Sequence, residues 1–158
     1  MTLAREIMET HVVTVTPETP LLSVHRMFAQ EDISGAPVID EVGEVVGVVS
    51  WRDLMRAANE EHDQSADELH YYAGSSTLDQ PEWLSDIEMF EDRLSKRTVA
   101  EVMTNGVISV PIDASAKEMA KLMVQHKIHR VLVLDEERDE GPLAGIVSVF
   151  DLVALLAK

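Results

Sequence analysis

Apolar residues along this chain alternate between two periods, and the alternation runs twice. A short β-type run, Val12–Val15, precedes a helical spacing of Leu21, Leu22, Val24, Met27 and Phe28. Two further apolar runs follow, Ile33–Ile39 and Val45–Val49, separated by the polar turn Glu41-Val42-Gly43-Glu44. The order then recurs: Val107–Val110 as a strand, Met119, Leu122 and Met123 with helical spacing, and two more apolar runs. Each half therefore predicts β-α-β-β-α, with closing helices over Asp53–Ala58 and Asp151–Ala157. Thr19 is placed to cap the first long helix, with Pro20 at its first turn.

The second strand-to-helix junction fixes the register of this duplication. Gly47-Val48-Val49-Ser50-Trp51-Arg52-Asp53-Leu54 returns as Gly145-Ile146-Val147-Ser148-Val149-Phe150-Asp151-Leu152. Paired β-branched residues favour a buried strand, and Ser-x-x-Asp has the spacing of a capping box. Ile7-Met8 matches Val102-Met103 at an offset of 95, and Ile33–Asp40 faces Ile128–Asp135 at the same offset. The closing motif has an offset of 98, so the second repeat holds three extra residues in the turn at Glu136–Gly141. Each repeat is small for a self-sufficient core. The chain therefore divides into residues 1–58 and 97–158, joined by an insert at 59–96.

Composition changes this picture mainly at the insert. The formal net charge is −16, and Ala58–Ser95 alone holds eleven carboxylates against one arginine. Such a charge repels a phosphate backbone and excludes non-specific nucleic-acid binding. Trp83, Ile87, Phe90 and Leu94 form one apolar stripe after Pro81, predicting a helix laid on the duplicated core, with a dimer contact or a lid over a cleft as the alternatives. Tyr71 and Tyr72 read as loop anchors, with stacking on a planar ligand as the alternative. His62, Asp63, Asp67 and His70 are too loosely patterned for a metal site and read as solvated surface. With no cysteine and no phosphate-loop glycine motif, nothing suggests catalysis. No signal peptide and no membrane span is read, which predicts a cytoplasmic protein without a membrane partner.

Taken with these motifs, the chain resembles a tandem pair of CBS domains, the regulatory module of cystathionine β-synthase. The resemblance covers Leu3–Ala57 and Thr98–Ala157. It rests on Ile-Met near the first start, Ile-Ser-Gly-Ala-Pro-Val-Ile-Asp, Ile-His-Arg-Val-Leu-Val-Leu-Asp and the doubled Gly-x-x-Ser-x-x-Asp. It implies an α+β fold of two βαββα units, packed about a pseudo-two-fold axis around two clefts that take adenosine-containing ligands. By that resemblance Asp53 and Asp151 would accept from ribose hydroxyls, with Ser50 and Ser148 as polar neighbours. A carboxylate offers the lone pairs that a vicinal diol needs.

The resemblance also places His129 and Arg130 on the phosphates, in the basic cluster that includes Lys127. The first repeat has Ser34 and Gly35 there, and Arg52 could compensate. Adenine would need an apolar slot, to which Val13, Val15, Ala36 and Pro37, or Ile108, Val110 and Val131, could contribute. These asymmetries predict two unequal sites.

The implied function is a sensor without a required cofactor. Its ligand would be AMP, ADP or ATP, with S-adenosylmethionine as a further candidate, and it would signal to a regulated protein. The implied assembly is a homodimer, a flat four-unit disc, with the closing helices (Leu54, Met55; Leu152, Val153, Leu155, Leu156) as interface surface. The alternative is a ligand-independent interaction scaffold, since Ser-x-x-Asp caps a helix with or without a ligand.

Overall fold

The computed structural model describes residues 1–59 and 82–158. In chain order the elements are α1 (Ala4–Ile7), α2 (Leu21–Glu31), β1 (Gly35–Ile39), β2 (Val45–Ser50) and α3 (Trp51–Asn59). There follow α4 (Glu82–Ser95), α5 (Val99–Val102), β3 (Thr104–Asn105), β4 (Ser109–Pro111), α6 (Ala116–His126), β5 (Arg130–Leu134), β6 (Leu143–Ser148) and α7 (Val149–Leu156). The α+β reading holds. So does the duplication: moving α1, α2 and β1 by 95 gives α5, α6 and β5 to the residue, and moving β2 by 98 gives β6. Even the helix stops match. Asp32 and Lys127 both take the left-handed C-cap at φ 55°, and the next amide reaches back to Phe28 and Met123 respectively, at 3.0 Å each.

Among the described residues two three-stranded sheets form, in the orders β1-β2-β3 and β4-β5-β6. β4 runs parallel to β5, and β5 antiparallel to β6. The chain falls into two compact units, Met1–Thr14 with Pro37–Val48 and Asn105–Lys158, and Val15–Ala36 with Val49–Thr104. In the first, Met119 and Met123 of α6 pack on Val110, Val131, Val133 and Val147. The N-terminal segment joins this core. Glu9 exchanges backbone hydrogen bonds with Ile146 at 2.9 and 3.0 Å, and Ala4 donates to the Ala114 carbonyl at 2.8 Å. In the second unit Leu21, Val24 and Phe28 of α2, Leu54 of α3 and Leu94 of α4 are buried.

Several local expectations need correction. The strand expected over Val12–Val15 is reduced to a bridge at Val15, and its counterpart is Ser109–Pro111. A strand needs a partner alongside, which periodicity does not reveal, and of residues 12–15 only Val15 is paired. Pro20 is the N-cap of α2 rather than its first helical residue. Thr19 does not cap α2: its hydroxyl accepts from the Thr16 amide at 3.2 Å and closes a turn.

The closing helices start two residues sooner than expected, directly after Ser50 and Ser148. Leu54 offers no interface surface, because it is fully buried. Of the insert stripe, Leu94 is buried, Phe90 half-buried and Ile87 exposed. The Trp83 side chain, Tyr71, Tyr72 and the His62/Asp63/Asp67/His70 group lie outside what is described.

Candidate functional site

Both closing helices begin with no loop between strand and helix, so the last strand residue serves as the cap. At α7 the Ser148 hydroxyl oxygen accepts from the Asp151 amide at 3.2 Å. Asp151 Oδ2 in return accepts from the Ser148 amide at 2.8 Å and from its hydroxyl at 2.9 Å. At α3 the same box closes between Ser50 and Asp53, at 3.3, 2.8 and 3.1 Å. These bonds satisfy orphan donors of the helix start and fix each carboxylate beside the positive end of the dipole. One carboxylate oxygen is thus committed to the cap, and Oδ1 is the one left for other partners.

A second backbone bond, repeated in both halves, ties the preceding strand to this point. The Trp51 amide donates to the Ser34 carbonyl, and the Val149 amide to the His129 carbonyl, each at 2.8 Å. In the second repeat the β5/β6 register also sets Arg130 directly opposite Ser148. Residues 129, 130, 148 and 151 are therefore brought to one place by strand pairing. His129, Arg130 and Lys127 are all exposed, and Asp151 is half-buried. An exposed arginine and histidine at a helix N-terminus, next to a fixed carboxylate, can hold a phosphorylated diol by complementary contacts.

The first repeat differs in kind. Ser34 and Gly35 stand in place of His129 and Arg130, and a β-carbon on Gly35 would sit 3.4 Å from the Val49 carbonyl oxygen. Asp53 is only 5% exposed. It lines a small cavity of about 100 Å³ with Arg56, Ala57, Glu101 and Val102. The Arg56 guanidinium stands 3.8 Å from Asp53 Oδ1. Glu101 accepts from the Thr98 amide at 2.6 Å, capping α5. Two carboxylates and one arginine in so small a space disfavour a polyanion. Arg52 is exposed.

The sequence reading missed Arg56 and Glu101, although Thr98-x-x-Glu101 is itself a capping-box pattern and Arg56 stands one helical turn after Asp53. It also missed an open groove of about 420 Å³ that includes Arg5, Thr10, Asp135 and Arg138. That groove lies by the end of β5 remote from Ser148.

The residues expected to line an adenine slot divide by burial. Val15, Ala36, Pro37, Val110 and Val131 are buried, and Val110 and Val131 belong to the core around α6. Val13 and Ile108 keep partly exposed side chains. Core packing accounts for the first five without any ligand.

Comparison with known proteins adds to this geometry. The family model described as CBS domain matches residues 4–60 and 99–158. An uncharacterised protein of Methanocaldococcus jannaschii is 32% identical over 160 residues, covering 98% of this chain and 90% of that protein. The crystal structure of the CBS domain of a CBS domain-containing membrane protein from Sphaerobacter thermophilus matches with a TM-score of 0.72 at 29% identity, covering 98% of this chain and 88% of that one. The CBS domain of a bacterial CNNM/CorC-family Mg²⁺ transporter, solved in complex with ATP, matches with a TM-score of 0.69 at 24% identity, covering 99% and 87%. Among the described residues of the present chain, no helix is long and apolar enough to cross a membrane.

Proposed function

The chain belongs to the CBS-domain family, and from that premise we propose that it is a non-catalytic sensor of an adenosine-containing nucleotide, AMP, ADP or ATP. S-adenosylmethionine is the further candidate, and no cofactor is required. The observation that carries this reading is the pairing of Arg130 with Ser148 across β5 and β6, which collects His129, Arg130 and Asp151 at the start of α7. In this reading Asp151 takes the ribose hydroxyls through Oδ1, Ser148 is its polar neighbour, and His129 and Arg130 take the phosphate, supported by Lys127. The ATP complex of the transporter's CBS domain supports the ligand class.

The working division is residues 1–58 and 97–158 as the two repeats and 59–96 as the insert. The protein acts in the cytoplasm as a homodimer, and ligand binding alters a regulated partner protein. Such a switch requires that the ligand bind one conformational state more tightly than the other. The first repeat is the weaker site, because Asp53 is enclosed with Glu101 and no cation replaces His129 or Arg130. There Ser50 and Arg52 offer the remaining polar contacts.

Thermal-shift titration against AMP, ADP, ATP and S-adenosylmethionine tests the reading. A ligand at a hundredfold above its dissociation constant adds about 2.7 kcal/mol of stability. A flat response to all four sinks it. One observation already favours the scaffold alternative in that event: the capping boxes fully employ Ser50, Ser148 and one oxygen of each aspartate with no ligand present.

A further inference from the structure

The two repeats hold the same carboxylate in the same cap, but its second oxygen keeps different company in each. Asp53 and Asp151 both commit Oδ2 to the amide and hydroxyl of the preceding serine, so a diol must be met by Oδ1. In the first repeat that oxygen already faces a cation: Arg56, one turn further along α3, sets Nη1 3.8 Å from Asp53 Oδ1. The second repeat has Ala154 at the position of Arg56. Glu101, which shares the cavity with Asp53 and Arg56, is no such difference between the repeats. Its counterpart is Glu6, and the two make the same cap, accepting from the Thr98 and Leu3 amides at 2.6 Å each.

Size decides what this contact does. The cavity on Asp53 is about 100 Å³, room for a few waters, whereas small-molecule sites begin at roughly 300 Å³. A ribose therefore reaches Asp53 Oδ1 only if the Arg56 side chain leaves. A guanidinium is suited to the place it holds, since its N–H donors meet a carboxylate as a pair of hydroxyls would. The Arg56 side chain is also 60% exposed. It has water to swing into, and an exposed ion pair is held weakly, so one substitution is enough to undo the closure.

We propose that Arg56 closes the first repeat to ribose by standing in for the diol on Asp53 Oδ1, so that the second repeat alone accepts an adenosine ligand. The inference rests on the nucleotide reading above and assigns the residue that sets the number of sites. It differs from the effect of the missing cations. Ser34 and Gly35 in place of His129 and Arg130 weaken the hold on phosphate, and on that account adenosine, which has none, would bind both repeats. Closure by Arg56 refuses the nucleoside itself.

Adenosine titrated into the full nitrogen-15-labelled chain is the test, read from amide chemical shifts at the two helix starts, with far-UV circular dichroism confirming that each variant is folded. In the wild type the amides of Ser148 to Asp151 should shift and those of Ser50 to Asp53 should not. Arg56→Ala, which installs the residue found in the second repeat, should make the Ser50 to Asp53 amides respond as well, with adenosine bound there about fivefold or more tighter than in the wild type. Adding Asp53→Asn to Arg56→Ala should abolish that new response and leave the one at Ser148 to Asp151. Equal shifts at both helix starts in the wild type overturn the closure. Shifts confined to Ser148 to Asp151 in Arg56→Ala, or a new response that survives Asp53→Asn, keep the nucleotide reading and overturn the assignment to Arg56. A wild type in which neither helix start responds, to adenosine or to AMP, removes the nucleotide reading and this inference with it.

Discussion

Ser148 and Asp151 hold one another at the start of α7: the serine hydroxyl accepts from the aspartate amide, and Asp151 Oδ2 accepts from both the amide and the hydroxyl of the serine. Removing the hydroxyl takes away a cap but leaves the Ser148 amide bonded to the carboxylate. Ser148→Ala should therefore cost about 1 kcal/mol. For a chain of this length that lowers the melting temperature by about 2–4 °C. Differential scanning calorimetry checks it, and an unchanged melting temperature would mean that the cap contributes nothing.

The same box makes Asp→Asn a clean probe of ligand binding. Asn keeps an acceptor for the Ser148 amide but loses the charge that would strengthen bonds from a ribose diol. Each charge-assisted bond is worth about 1.5–3 kcal/mol, so Asp151→Asn should weaken nucleotide affinity about tenfold or more. Asp53→Asn should change it by less than about threefold, since Asp53 is enclosed with Arg56, Ala57 and Glu101. Isothermal titration calorimetry separates the two. Equal losses would contradict the unequal sites.

What the sequence made legible follows from where the information is local. The offset of 95, rising to 98 across the Glu136–Gly141 turn, reproduces α6, β5 and β6 from α2, β1 and β2 because each element carries its own apolar period and stop signal. Ser148-x-x-Asp151 was legible as a cap for the same reason. Pairing partners were not. Val12–Val15 has strand composition, yet Glu9 forms the bridge to Ile146, and nothing near residue 9 announces that. Burial of the closing helices was equally hidden. Leu54 and Leu152 are the same residue in the same motif, yet Leu54 is fully buried on a helix that packs against α2, α4 and α5, while Leu152 is half-buried.

That placement predicts a large effect at Leu94, which is fully buried although it belongs to the acidic insert. Truncating a buried leucine to alanine costs about 2–5 kcal/mol. Leu94→Ala should lower the urea midpoint accordingly, and it should speed amide exchange in α3 as well as in α4, because the two helices pack together. A loss below about 0.5 kcal/mol would mean that α4 is only loosely applied.

Two glycines at positive φ should respond differently to alanine. Gly106 has φ +91° with nothing within 4 Å of an added β-carbon, so Gly106→Ala pays only backbone strain, about 1–2 kcal/mol. Gly141, in the longer second-repeat turn, has φ +108°, and its β-carbon would lie 2.8 Å from the Gly43 carbonyl oxygen. Backbone cannot step aside cheaply, so Gly141→Ala should cost at least about 1 kcal/mol more than Gly106→Ala in chemical denaturation.

Acid sensitivity should be readable at the start of α6, where Glu118 accepts from the Ser115 amide at 2.7 Å and from its hydroxyl at 2.9 Å. The backbone amide of Ser115 first, and then its side chain, hold the Glu118 carboxyl below the usual glutamate range, with Lys121 adding to the same direction. A carboxyl depressed in the folded state binds its proton less readily there than in the unfolded chain. Its stabilisation is therefore present in full above the unfolded value and is lost as pH falls through the folded one. Glu118→Gln keeps an acceptor for the cap but removes the titrating charge. The melting-temperature gap between wild type and Glu118→Gln should thus be constant from about pH 7 to pH 5.5, then narrow below about pH 4.3, the ordinary glutamate value. Because the group is exposed, salt should reduce the Lys121 contribution while leaving the hydrogen-bonded one. Thermal unfolding at low and high salt across this range measures both parts, and a gap that stays level down to about pH 3 would show that the charge of Glu118 contributes nothing to the cap.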